Sequence, residues 1–169
     1  MDSHTERDYE NLLMMNPKIP TMDLINANSP IEVRTSRELA NAINASLPGN
    51  NIIIRNNIGI VDNLIINRNG TALQPIFIGD IPDSRPTLTV GNLYEQAFKI
   101  AGASFIVLHD MSILDSQGGY GINCDELDGN GSNPRSTHSI LLKNLCIENT
   151  GGNNRVASLK ISRIDNYGF

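Results

Sequence analysis

One segment of this chain is written twice. Phe105-Ile-Val-Leu-His-Asp-Met-Ser-Ile-Leu-Asp-Ser and Ser139-Ile-Leu-Leu-Lys-Asn-Leu-Cys-Ile-Glu-Asn-Thr carry apolar residues at the same places, 34 positions apart. Each runs into a glycine pair, Gly118-Gly119 and Gly151-Gly152. A second echo links Phe98-Lys99-Ile100-Ala101 with Leu159-Lys160-Ile161-Ser162. Self-similarity at some tens of residues marks a chain that stacks one structural unit upon the next, and this restricts the folds open to it.

The repeated unit is built of strands. Short runs rich in β-branched residues recur at 51–55, 63–66, 75–78, 87–90, 97–100, 105–108, 112–114, 139–142, 146–147 and 158–161, with Gly, Asn, Asp or Pro between them. A sandwich would favour tight hairpins and strict polar/apolar alternation. Nearly continuous apolar runs and turns of uneven length suit strands that pair in parallel, each with the strand one winding later. Bends within a winding then call for Gly and Asn, which tolerate unusual backbone angles. The stretch NRNGTALQPIFIG, Asn67–Gly79, reads as one such corner. Ile76 and Ile78 are expected to face the stack and Phe77 to face outward.

A single helix precedes the strands. Thr35-Ser36-Arg37-Glu38 fits a capping box, Leu39, Ala42, Ile43 and Leu47 follow at helical spacing, and Pro48-Gly49 stops the run. The expected helix spans about 35–47 and caps the front of the stack. Residues 1–30 have no clear period and contain Pro17, Pro20 and Pro30. They read as an arm or extended lead-in, loose or laid along a neighbour, with room for a short helix around Tyr9–Met15. Residues 31–169 then form one domain, a length sufficient for a sizeable core.

The charge balance narrows the partners. A net charge of −5 with no cluster of Lys or Arg argues against nucleic acid. No apolar run reaches the length of a membrane span, and the N-terminus lacks the pattern of an ordinary secretory signal. Cys124 and Cys146 have no His or Cys at zinc-ligand spacing; two buried thiols are the plainer reading, a disulfide the other. Three stretches match the glycosylation acceptor pattern (Asn44-Ala45-Ser46, Asn69-Gly70-Thr71 and Asn130-Gly131-Ser132), as an Asn-rich chain produces by chance.

From Val33 to Leu114 the chain resembles the N-terminal part of pectate-lyase-like right-handed parallel β-helix proteins, of the alginate-lyase and chondroitin-lyase type. The residues that carry the likeness are Thr35-Ser-Arg-Glu-Leu-Ala-Asn-Ala-Ile, Leu47-Pro-Gly-Asn-Asn-Ile-Ile-Ile, Asn69-Gly-Thr-Ala-Leu-Gln-Pro-Ile-Phe-Ile and Phe98-Lys-Ile-Ala-Gly-Ala-Ser-Phe-Ile-Val-Leu. His138–Asp165 is similar to later coils. The resemblance implies an all-β right-handed parallel β-helix with an N-terminal capping helix, at the cell exterior or a cell or virion surface. Asn50 stands where many relatives have Asp, a change expected to affect only a turn. The catalytic Lys or Arg and the calcium-binding carboxylates of such enzymes lie on coils further along than this chain is expected to reach. The scaffold alone does not specify activity.

Several residues are candidates for chemistry. Lys160 and Arg163, on or beside a late strand, could serve as the base of a β-elimination, although a solvated pair is the simpler reading. Asp125, Glu126 and Asp128 within CDELDGNGSNP offer oxygen ligands for Ca2+ without the spacing of a known calcium loop. Tyr120 and Tyr167, with Tyr94, could stack on sugar rings. His109 and His138 read as isolated histidines, with no Ser-His-Asp grouping.

Two functions follow. One is a non-catalytic structural, adhesive or carbohydrate-binding module that takes an acidic polysaccharide or associates, with itself or another protein, through its arm and an uncapped rear coil. The other is a fragment of a polysaccharide (uronate) lyase acting by β-elimination.

Overall fold

The computed structural model describes residues 19–25, 29–81, 84–91, 95–115, 120–126, 136–148, 159–162 and 164–168. The expected Tyr9–Met15 helix, Tyr94, Asp128, Arg163 and both glycine pairs lie outside them. The described chain is mostly strand, with one α-helix. In order it runs β1 (Ile31–Val33), α1 (Ser36–Ala45), β2 (Asn51–Ile54), β3 (Gly59–Ile60), β4 (Leu64–Ile66), β5 (Ile76–Gly79), β6 (Thr87–Val90) and β7 (Gln96–Ala101). It continues through β8 (Ser104–Asp115), β9 (Tyr120–Asp125), β10 (Thr137–Glu148), β11 (Leu159–Ile161) and β12 (Ile164–Gly168).

Every pairing between these strands is parallel. The first sheet runs β1-β2-β5-β8-β10-β12, with β3 and β6 joined at its side; the second runs β11-β9-β7-β4. Partners are distant in sequence: Ile52 pairs with Ile78, Ile78 with Leu108, and Leu108 with Leu142. The last step is the 34-residue offset visible in the sequence. The second echo is physical too, since Phe98 and Leu159 both pair with Ile122.

The four short runs expected over 105–114 and 139–147 form two strands of twelve residues, each bent once. The first half of β8 pairs with β5 and its second half with β6. The bend falls at Asp110, which has φ 49°, and Asn144 has φ 50° at the matching place in β10. Phe105 and Ser139 take φ 53° and 59° at the entry of each strand. Asp and Asn tolerate this left-handed conformation because a short polar side chain can bond locally; for Phe it is strained. The side-chain amide of Asn144 donates to Asp110 Oδ1, tying the two bends together. β9, β12 and the short β1 and β3 were not expected, and CDELDGNGSNP begins as the end of β9 instead of a loop.

The interior is a column of aliphatic side chains. Ile52, Ile54, Ile76, Ile78, Ile106 and Leu108 from the first sheet meet Ile66, Phe98, Ile100 and Ile122 from the second, all essentially inaccessible. Complete burial of such a side chain stabilises by about 1.5–3 kcal/mol. Helix α1 buries Leu39, Ala42 and Ile43 against this column and ends two residues earlier than expected. Glu38 N–H donates to Thr35 Oγ1 at 3.2 Å. The Glu38 carboxylate accepts from Arg34 N–H at 2.7 Å, one residue before the position a capping box prescribes.

At the corner between β4 and β5, a Cβ on Gly70 would lie 2.7 Å from the Phe105 carbonyl oxygen, so only glycine fits. Asn50 acts in a turn, as expected, where its Oδ1 accepts from Leu47 N–H at 2.8 Å.

Candidate functional site

The outer surfaces of the two sheets differ in kind. On the second sheet the strands alternate, so Ile65, Lys99, Asn123 and Lys160 stand in one register row across four strands. Their neighbours in sequence, such as Phe98, Ile100, Ile122 and Cys124, turn to the core. Lys160 therefore projects outward, with its side chain 40% exposed and Nζ 3.9 Å from Asp125 Oδ2. Its Nζ also lies 5.8 Å from the centroid of the Tyr120 ring, within range of a cation–π contact. Three of the residues singled out from sequence, Lys160, Asp125 and Tyr120, thus meet at one edge of this face.

Asp125 Oδ1 accepts the Glu126 N–H at 2.9 Å, an arrangement that closes the strand end. Among the described residues no three His, Cys, Asp or Glu side chains are grouped to hold a metal. Tyr167 belongs to β12, where its backbone pairs with Ile140 of β10 in the first sheet, whereas Tyr120 belongs to the second. His138 packs edge-on against Phe105, with ring centroids 5.5 Å apart. Both cysteines are free; Cys124 is buried, whereas Cys146 is half-buried, contrary to the expectation of two buried thiols. Burial pushes the Cys124 thiol up to about 12, with the Asp125 charge adding to it.

The first sheet is different. Asn51, Ile53, Phe77, Val107 and His109 project from the side opposite the core column, yet all are buried. Phe77 thus faces outward as expected but not into solvent. The N-terminal segment covers part of this surface: a Cβ on Gly168 would meet Ile19 at 3.4 Å and Leu141 at 3.5 Å. Met22, Ile25 and Pro30 form one wall of a cavity of about 510 Å³ whose other wall is the sheet. The described part of the arm therefore lies on its own domain.

Polar groups gather at one side of this cavity. Arg55, just beyond β2, donates to Glu32 Oε1 through Nη2 at 2.9 Å and forms an ion pair with Asp80 Oδ1 at 3.3 Å. The hydrogen bond from Arg55, reinforced by its charge, holds the Glu32 carboxyl below its ordinary value. Asp80 Oδ1 also accepts the Ile81 N–H at 2.7 Å. On the next strand, His109 Nδ1 lies 2.9 Å from Asp110 Oδ2. His109 and Asp80 are each 2% exposed, and among the described residues His109 Nε2 and Asp80 Oδ2 have no hydrogen-bond partner. The sequence reading missed this cluster by treating His109 as isolated; the adjacent Asp110 and the Gly79-Asp80 pair were its available signals.

Compared with protein-family models, curated proteins and solved structures, the chain finds no match in any of the three.

Proposed function

We propose that this chain is a non-catalytic right-handed parallel β-helix module that holds an acidic polysaccharide along the outer face of its second sheet. Parallel pairing between segments some tens of residues apart supports the coiled reading, and parallel crossovers are right-handed in about 98% of cases. Such a module would serve in adhesion at a cell or virion surface.

The observation that carries the binding reading is the register row Lys99, Asn123 and Lys160. Neighbouring strands lie about 4.8 Å apart, so the two ammonium groups stem from points roughly 10 Å apart along a straight line. An extended acidic glycan crossing the strands meets a cation, an amide and a cation in steps close to the length of one sugar unit. Tyr120 beneath Lys160 offers an apolar ring face beside the row. The alternation that creates the row is a sheet property, so the side chains are positioned by rigid strands instead of a loop.

Isothermal titration with polygalacturonate, alginate and chondroitin sulfate at low ionic strength tests this. Saturable binding that weakens with salt and falls at least tenfold in Lys99→Ala/Lys160→Ala is the expected result; no binding to any acidic chain refutes it. The same mixtures, followed at the absorbance of an unsaturated uronate with and without Ca2+, decide against the uronate-lyase reading if no product accumulates.

A further inference from the structure

The cavity on the outer side of the first sheet combines features that a merely structural void lacks. A volume of about 510 Å³ is within the range of small-molecule sites and far above a single water's share of about 30 Å³. Most of its wall is aliphatic. Its polar side presents two buried groups with unused hydrogen-bonding capacity, Asp80 Oδ2 and His109 Nε2. Leaving such groups unserved is costly, so an occupant that satisfies them gains affinity.

The chemistry of those groups selects the occupant. An ionised carboxylate only accepts, so the Nδ1 facing Asp110 Oδ2 carries a ring proton, and in the neutral ring Nε2 then offers a lone pair. Asp80 Oδ2 is likewise an acceptor. The wall itself carries two carboxylates, Asp80 and Asp110, and one guanidinium, Arg55, which already engages Asp80 and, beyond the wall, Glu32, a carboxylate that also pairs with Arg34 at 3.2 Å. Lys143, in register beside His109 on β10, is exposed and is not part of the cavity wall. An anion is disfavoured here. A transition metal is also disfavoured, since no third ligand is grouped with the histidine among the described residues.

We propose that this cavity binds a small amphipathic amine. Its protonated head donates to Asp80 Oδ2 and His109 Nε2, and its aliphatic body lies between Ile53 on β2 and Ile81 just beyond β5, on one side, and Met22 and Ile25 of the N-terminal segment on the other. The site is separate from the row of lysines on the second sheet, so either can fail without the other.

The test uses the full chain at neutral pH with n-hexylamine, n-hexanol and n-hexanoate as probes. Hexylamine is expected to bind with one-to-one stoichiometry, to raise the melting temperature, and to shift the His109 Nε2 resonance in 15N spectra. Hexanol should bind at least tenfold more weakly, and hexanoate not measurably. Asp80→Asn should lower hexylamine affinity at least tenfold. Ile53→Phe, which fills the cavity without touching the polar groups, should abolish binding in a folded protein. Equal responses to hexylamine and hexanoate overturn the proposal, as does the absence of any change in melting temperature and at His109 Nε2 in the unsubstituted chain.

Discussion

His109 rests on Gly79 of the neighbouring strand. A Cβ at position 79 would stand 2.1 Å from the His109 carbonyl oxygen and 2.8 Å from its ring. The imidazole is held between that glycine, the edge of Phe77 at 6.2 Å between centroids, and Asp110. The absence of a side chain on β5 is therefore what allows a buried histidine on β8.

Gly79→Ala should be severely destabilising for this reason. The obstacle is backbone on the paired strand, which cannot rotate away, so overpacking of about 3 kcal/mol is expected. Urea unfolding reads it, and a midpoint unchanged from the parent chain contradicts the close packing.

Arg55 holds together charges from three strands. Arg55→Met removes the partner of a buried Asp80 carboxylate and should destabilise the chain; because the Arg55 side chain is 29% exposed, the loss should be smaller than for a fully enclosed pair, and urea unfolding reads it. Adding Asp80→Asn should recover part of the loss, so that the double-mutant cycle is not additive. Acid acts on the same chain of charges. Glu32 is held below its ordinary 4.5 in the folded state, so its contribution is present above 4.5 and fades as pH falls through its lowered value. Urea midpoints from pH 7 to pH 3 should therefore fall less steeply in Arg55→Met.

The bends in β8 and β10 make a further prediction. Asn144 has φ 50° and bonds Asp110 through its side chain. Asn144→Val places a β-branched residue in left-handed space and deletes the bond, for a loss of about 2 kcal/mol. Asn144→Gly keeps the backbone comfortable and should cost less. Denaturant titration of the two variants separates backbone strain from the lost hydrogen bond, and equal costs would count against strain.

The repeat made the register legible in advance, because the pairing of β8 with β10 at an offset of 34 residues was already present as matched apolar positions. The bends were legible only as polar letters, since Asp110 and Asn144 look like strand terminators until the chain is seen to turn and continue pairing. The covered outer surface of the first sheet left a signal that was read another way. Ile52-Ile53-Ile54, Ile76-Phe77-Ile78 and Ile106-Val107-Leu108 are apolar on both sides, whereas Phe98-Lys99-Ile100 and Ile122-Asn123-Cys124 alternate. Continuous runs mean burial on both faces. The contrast between the sheets thus pointed to a cover over one of them, but which segment supplied it depends on tertiary contacts that no period encodes. His109, Asp80 and Arg55 were illegible as a group because they come from three distant segments, on β8 and just beyond β5 and β2, and meet only in that covered layer.

The two thiols should behave unlike each other. Cys124 is enclosed in the core column beneath β9, and Cys146 is half-buried on β10 with its thiol 3.1 Å from Glu148 Oε1. A thiol-reactive reagent should therefore modify one cysteine in the folded chain and two in denaturant. Cys124 also links stability to alkaline pH. Its folded value of about 12 lies above the ordinary 9.0, so between these values the unfolded state has lost a proton that the folded state keeps. Stability is then intact below about pH 9 and declines as pH rises toward 12, by an amount on the order of 4 kcal/mol for a shift of this size. Tyrosines and lysines titrate in the same window, so the comparison must be made with Cys124→Ala. The expected result is a difference in urea midpoint between the two chains that shrinks from pH 8 to pH 10.5; a difference that stays constant would mean the thiol is not held in the protonated form by its surroundings.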